Sequence, residues 1–162
     1  MASLSILWII FDFKTVLIFH FYSYHQTNIQ NICRYCDVCA VGEDVKTTVC
    51  EICCNFGGAY KALDKPGKWI HSVCAAWIPE IYISDIKEYP TKLTIKGIDK
   101  KRFRLKCGLC SGKGACVECK HGKCRTAAHP WCVVNKPGGY TRRVVKDEDD
   151  DLIWQIFCKT HA

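Results

Sequence analysis

Three pairs of residues in this chain join a cysteine to a histidine across two intervening residues: His71-Ser-Val-Cys74, His129-Pro-Trp-Cys132 and Cys158-Lys-Thr-His161. A disulfide framework has no use for histidine at such positions. A tetrahedral Zn²⁺ site does, because two ligands on one turn reach the same ion at about 2.0–2.3 Å. Three all-cysteine pairs accompany them: Cys50-x2-Cys53, Cys107-x2-Cys110 and Cys119-x4-Cys124. Six pairs supply ligands for three closed sites, so three Zn²⁺ ions are expected. Catalytic zinc keeps a position open for water, and sites with four protein ligands leave none, so zinc hydrolysis is not indicated.

The ligand-bearing part of the chain is short and falls into two clusters, residues 50–74 and 107–161. Chains of that size bury too little apolar surface to fold comfortably without staples. Structural zinc contributes roughly 10–16 kcal/mol per site in finger peptides, so folding and metal binding are expected to be one event. The fourteen cysteines also suit a secreted disulfide protein, but the histidine pairing would then be coincidence. Residues 4–22 are apolar enough to suggest a membrane span. Asp12 and Lys14 fall near its middle, where charge is costly, and neither a basic start nor a small-residue cleavage site frames it. An ill-defined tail and a reducing compartment are the expectation.

Net charge is +7, unevenly spread. Between Lys87 and Lys146 there are 16 Lys or Arg against three acids, densest in Lys100-Lys101-Arg102-Phe103-Arg104-Leu105-Lys106; an acidic run, Asp147–Asp151, follows. Charge runs are usually solvated loops, but a basic field of this density also suits a polyanion, nucleic acid above all. Lys100, Lys101, Arg102, Arg104 and Lys106 are the first candidates for phosphate contact, with Lys120, Lys123 and Arg125 next. No helix long enough to read bases is visible.

The elements that must position the ligands are small. Gly57-Gly58 and Pro66-Gly67 are turn dipeptides. Lys68–Ile70 reads as a strand, and His71–Trp77 as one or two helical turns ending before Pro79. Trp69 and Trp77 are expected to form the core of a one-zinc module rather than a ligand platform. Ile81, Ile83, Leu93, Ile95 and Ile98 predict short strands or a packed connector. Residues 41–48 read as a linker, and the 25 residues between Cys132 and Cys158 as a surface loop. Two adjacent ions can be filled sequentially or in an interleaved cross-brace. Interleaving is expected, with Cys107, Cys110, His129 and Cys132 on one ion and Cys119, Cys124, Cys158 and His161 on the other. Cys50, Cys53, His71 and Cys74 hold the third. Cys54 should point away from the ion beside it; Cys116 is either a rival to Cys119 for the second pair or, the favoured reading, a small buried side chain.

The string CEIC…GGAYK…WIHSVCAAWIPE, a basic connector, then CGLC…GACVEC…CRTAAHPWC…FCKTH resembles the extended PHD finger, a zinc knuckle joined to an atypical PHD finger. That module occurs in Jade-type, bromodomain-PHD scaffold and trithorax-type chromatin proteins. The resemblance covers about residues 47–162. It implies a small zinc-stabilised α+β fold, with a zinc knuckle packed on a cross-brace PHD-type finger, short strands and helical turns. The expected division is a poorly defined segment 1–46, a knuckle 47–85, a basic connector 86–106 and an atypical finger 107–162. Cys33, Cys36 and Cys39 could be the remnant of a preceding PHD finger, whose peptide-reading role does not transfer. The implied function is a non-enzymatic nuclear chromatin reader or adaptor, with nucleosomal DNA, histone tails and subunits of a histone-modifying complex as partners. Segment 111–118 contains no aromatic residue, which argues against a methyl-lysine cage there. The alternatives are a pure protein scaffold and a RING-type ubiquitin ligase. RING fingers share the cross-brace but end on cysteines, whereas here histidines are fifth and eighth.

Overall fold

The computed structural model describes residues 36–84, 92–136, 138–148 and 152–162. The membrane-like stretch 4–22 and Cys33 lie outside them. The chain runs through helix α1 (Asp37–Ala40), strands β1 (Tyr60–Ala62) and β2 (Trp69–His71), helix α2 (Ser72–Trp77), and strands β3 (Ile81–Ile83) and β4 (Leu93–Ile95). A 3₁₀ turn (Arg102–Arg104) follows, then β5 (Val117–Glu118), β6 (Ala127–Ala128), helix α3 (Pro130–Asn135), β7 (Thr141–Lys146) and β8 (Leu152–Phe157). Among the described residues consecutive strands pair antiparallel, giving four two-stranded sheets. The expected small α+β fold of short strands and helical turns is the one observed.

Local chemistry explains the two ligand-bearing helices. His71 and His129 occupy the N-cap positions of α2 and α3 with extended ψ angles of 137°. Pro130 sits at the first turn of α3, where its missing N–H costs nothing. Cys74 and Cys132 therefore lie three residues into each helix, on the face their histidine already occupies. Helix α2 stops at Ile78 (φ −101°, ψ 111°), which Pro79 forces out of the helical region.

Two expectations are corrected. Residues 36–48, including the stretch read as a linker, are tied to the knuckle. Asp37 is only 7% exposed; its carboxylate accepts the Ala62 N–H at 2.8 Å and pairs with Lys61 at 3.1 Å. Val38 is fully buried, and Val45 O accepts the Gly57 N–H at 2.8 Å. Asp44 ties the next turn through its side chain to the Lys46 N–H and its carbonyl to the Thr48 hydroxyl. Residues 133–157, read as a surface loop, instead carry a hairpin, with β7 and β8 in register from Thr141↔Phe157 to Lys146↔Leu152. Its strands hold Val144, Val145, Ile153, Trp154, Ile156 and Phe157, β-branched and aromatic residues that pair well across a pleated sheet.

One core joins knuckle and finger. Ile52, Tyr60, Ile70, Ile78, Leu93 and Ile156 are fully buried within it. Trp77 of α2 stacks on Trp154 of β8, centroids 5.0 Å apart. Trp77 is thus core, as expected, and Trp69 is half-buried against it. The connector is packed as well: Leu63 bridges Leu93, and Arg102 pairs with Glu80 at 3.0 Å.

Candidate metal centres

The twelve residues of the six pairs gather into three groups: Cys50, Cys53, His71 and Cys74; Cys107, Cys110, His129 and Cys132; Cys119, Cys124, Cys158 and His161. Within each group the ligand atoms lie within 4.8 Å of one another. The second and third groups interleave, because the pair Cys119/Cys124 comes between Cys110 and His129 in the chain yet joins Cys158 and His161.

The donor geometry fits zinc. Ligands at 2.0–2.3 Å from a tetrahedral ion stand about 3.3–3.8 Å apart. In the first group His71 Nδ1 lies 3.2 Å from Cys53 Sγ and 3.9 Å from Cys74 Sγ. In the second, His129 Nδ1 lies 3.4 Å from Cys110 Sγ and 3.7 Å from Cys132 Sγ. In the third, His161 Nδ1 lies 3.6 Å from Cys119 Sγ and 3.3 Å from Cys158 Sγ. Nδ1 is the inward nitrogen in all three groups. Three thiols and one imidazole, mostly buried, form a donor set soft enough for Zn²⁺. Each group could hold one ion.

One backbone contact recurs. The N–H of the residue opening the second pair donates to the sulfur of the first cysteine: His71 N to Cys50 at 3.3 Å, His129 N to Cys107 at 3.4 Å, and Cys158 N to Cys119 at 3.4 Å. Such donors stabilise thiolate. Burial pushes the Cys50 thiol up, but hydrogen bonds with Cys53, Cys74 and His71 outweigh it and hold Cys50 well below the ordinary thiol range. Hydrogen bonds with Cys116 and Cys132 hold Cys107 far below that range, while burial raises Cys74 and Cys119. Two of the three ligand histidines are held by ring stacking. His71 lies on the Trp131 ring at 4.3 Å and against Tyr60 at 4.5 Å, and His161 on His121 at 4.0 Å.

Cys54 is exposed at φ +55°, outside the first group, as expected. Cys116 is the expected buried side chain, yet its thiol abuts the second group and is pushed well up by its hydrogen bond with Cys107 and by burial. Cys36 is buried and accepts the Tyr60 N–H at 3.3 Å.

Sequence reasoning missed three contributors. Trp131, read only as a spacer, seats its ring over Gly58. Asn55, unremarked beside the first cysteine pair, aims its amide at the second group. Lys113 stands opposite Lys106 on an isolated antiparallel bridge. None is a ligand, so ligand spacing says nothing of their roles and the fold reveals them.

The predicted basic residues separate. Lys100, Lys101, Arg104 and Lys106 are exposed, while Phe103 and Leu105 turn inward. Arg102 is half-buried against Glu80. Lys120, Lys123 and Arg125 are exposed around the third group.

Comparison with known proteins agrees with this architecture. Over 128 residues the chain is 33% identical to Jade-1 of Xenopus laevis, covering 78% of this chain and 15% of that protein. It is 34% identical over 134 residues to the histone H3-lysine(4) N-trimethyltransferase ATX1 of Arabidopsis thaliana, 78% of this chain and 12% of that one. The human E3 ubiquitin-protein ligase Jade-2 is 33% identical over 128 residues, 16% of its length. The chain thus spans less than a fifth of each of these relatives, and what it shares with them is the zinc-finger region. The crystal structure of zebrafish PHF14-PZP superposes with a TM-score of 0.58 at 27% identity, over 78% of this chain and 68% of that one. Residues 48–161 match the PHD-zinc-finger-like domain, and with its interleaved Cys/His groups and its PZP-type fold the chain is a member of that PHD-type zinc-finger family.

Proposed function

We propose that this chain is a nuclear chromatin-binding module, held in shape by three Zn²⁺ ions on the twelve ligands of the three groups, with a basic face for nucleosomal DNA. The observation that carries the reading is the sorting of the 100–106 run. Its apolar members are anchored inward and four of its five cations project into solvent, so the charge is presented on a fixed surface. Lys106 and Lys113 stand directly opposite each other, a repulsive arrangement that a phosphate between them would relieve. Lys120, Lys123 and Arg125 extend the same chemistry around the third group. Arg102 serves chiefly as the tie to Glu80 and is the weakest member of the candidate set. The longest described helices have six residues, which suits backbone contact rather than base reading. Jade-1 and ATX1 support a place among chromatin proteins; a histone tail and subunits of a histone-modifying complex are the further partners.

The test is duplex and nucleosome binding by fluorescence anisotropy across a salt series. Lys100, Lys101, Arg104 and Lys106 are changed to glutamate with Arg102 left in place. The slope of log K on log salt should fall by about 0.9 for each phosphate that the variant no longer neutralises. An unchanged slope and affinity would overturn the DNA reading.

A second reading, protein scaffolding, is favoured by a different patch. Val49 and Phe56 face each other across an isolated antiparallel bridge, 51% and 64% exposed, and Phe56→Ser should then cost partner binding while leaving DNA binding intact. Ligase activity, suggested by the name of Jade-2, is checked by auto-ubiquitination with purified ubiquitin-charging components.

A further inference from the structure

The first and second metal groups share their surroundings in both directions. Asn55, two residues past Cys53, donates through Nδ2 to Cys53 O at 2.8 Å. The same Nδ2 lies 3.4 Å from His129 Nδ1 and 3.9 Å from Cys132 Sγ. In the other direction Trp131, between His129 and Cys132 in the chain, stacks on His71 of the first group at 4.3 Å and 14°. The backbones meet as well. Ala115 N donates to Ile52 O at 2.8 Å, and a Cβ on Gly114 would stand 3.0 Å from Cys53 Cα and 2.6 Å from His129 Nε2. The third group is tied instead to β8 and to its own loop: Lys120 N to Ile156 O, Cys158 N to Cys119 Sγ and the Thr126 hydroxyl to Cys124 Sγ.

From this geometry we infer that Asn55 is a positioning residue shared by two ions. Its amide holds the turn of the first group with one N–H and donates the other to the Cys132 thiolate of the second. Through Asn55 and Trp131 the first and second ions load as a coupled pair, whereas the third loads on its own. The inference rests on the ligand assignment proposed above. With His129 Nδ1 committed to metal, the acceptor left to the second N–H is the Cys132 sulfur. An N–H donated to a metal-bound thiolate stabilises its charge against protonation and against loss of the ion, and outer-shell donors of this kind typically change metal affinity 10–100-fold. Coupling is reciprocal by thermodynamic necessity: filling either site fixes the turn that completes its neighbour's surroundings. Ligand spacing does not demand asparagine here, because it leaves position 55 free.

The experiment is native mass spectrometry of the full chain at sub-saturating Zn²⁺, repeated with Asn55→Leu, which keeps the volume and removes the donor, and with Trp131→Leu. The wild-type chain should show unloaded and three-ion species in excess of a statistical distribution, at the expense of the one- and two-ion species together. Asn55→Leu should populate the two-ion species and lower the affinity of the second site about 10–100-fold by competition with a chromophoric chelator. In the Co²⁺-loaded protein its sulfur-to-metal charge-transfer band should shift, a change that a purely structural role for Asn55 would not produce. A statistical wild-type distribution that Asn55→Leu leaves unaltered overturns the coupling while leaving three-ion binding intact. A wild-type chain that takes up fewer than three ions at saturation overturns the ligand assignment itself. Should Asn55→Leu fail to fold, the wild-type distribution and Trp131→Leu decide the question alone.

Discussion

Alanine at Gly57 and at Gly58 separates two costs that usually arrive together. Both glycines have φ +86°, so any L-residue at either position meets the left-handed penalty of about 1–2 kcal/mol. Their surroundings differ. A Cβ on Gly57 would find only Trp131 Cζ2 at 3.9 Å, ordinary van der Waals contact, whereas one on Gly58 would overlap the Trp131 ring outright. The ring cannot yield freely, since it is stacked on His71. Gly58→Ala should therefore lose a further 1–3 kcal/mol or so, the usual cost of overpacking, for a total of about 2–5 kcal/mol. The assay is guanidinium unfolding of both variants and the wild type at one fixed, buffered free Zn²⁺ concentration, because metal binding shifts apparent stability by mass action. Near-UV circular dichroism of the folded proteins reports the displaced indole. Equal losses in the two variants, within about 0.5 kcal/mol, would mean that Trp131 does not seat over Gly58, and the account of how knuckle and finger join would fail.

Other perturbations probe separate parts of the molecule. Asp37→Ala leaves the Ala62 N–H without its partner and frees Lys61; it should destabilise by about 1–3 kcal/mol, read as an earlier denaturation midpoint, whereas a residue of an unattached segment would be silent. Trp154→Ala removes the stack on Trp77 and should cost about 3 kcal/mol, with an unshifted melting temperature counting against a single core. Acidification should release zinc and unfold the chain together. Hydrogen bonds hold the Cys50 and Cys107 thiols below the ordinary range, so the stability they contribute is present above the unfolded thiol pKa and is lost as pH falls. The proton competition of all the ligands acts in the same direction, and release monitored with a metallochromic dye should coincide with loss of circular dichroism. Chelation at neutral pH should produce the same unfolded state, and a chain that stays compact and melts cooperatively after exhaustive chelation would contradict metal-dependent folding.

How much of this was legible in the residues differs from one feature to the next. The three ligand groups and the interleaving could be read because tetrahedral zinc dictates both donor type and short-range spacing, and His71, His129 and Cys158 each open a pair with two residues between its ligands. The short strand at Trp69–His71 and the helix closed by Pro79 followed from local chemistry. The β7–β8 hairpin was hidden because its first strand is flanked by louder signals, Pro137-Gly138-Gly139 and the acidic run. The folding-back of residues 36–48 was hidden because its anchors, Asp37 on Ala62 and Val45 on Gly57, are long-range, and no period announces them. Basic residues could be counted but not oriented: Arg102 looks like its neighbours in the sequence and differs only in having Glu80 beside it.

The interleaved arrangement also bears on what a protease could accomplish. A cut between β7 and β8 severs the covalent chain, but the fragment ending beyond Lys146 keeps Cys119 and Cys124 while the fragment beginning near Leu152 keeps Cys158 and His161. Those four side chains converge on one point, and six cross-strand pairs join the two pieces besides. The nicked molecule would travel as one particle through a sizing column and separate into two only after a chelator or a denaturant is added.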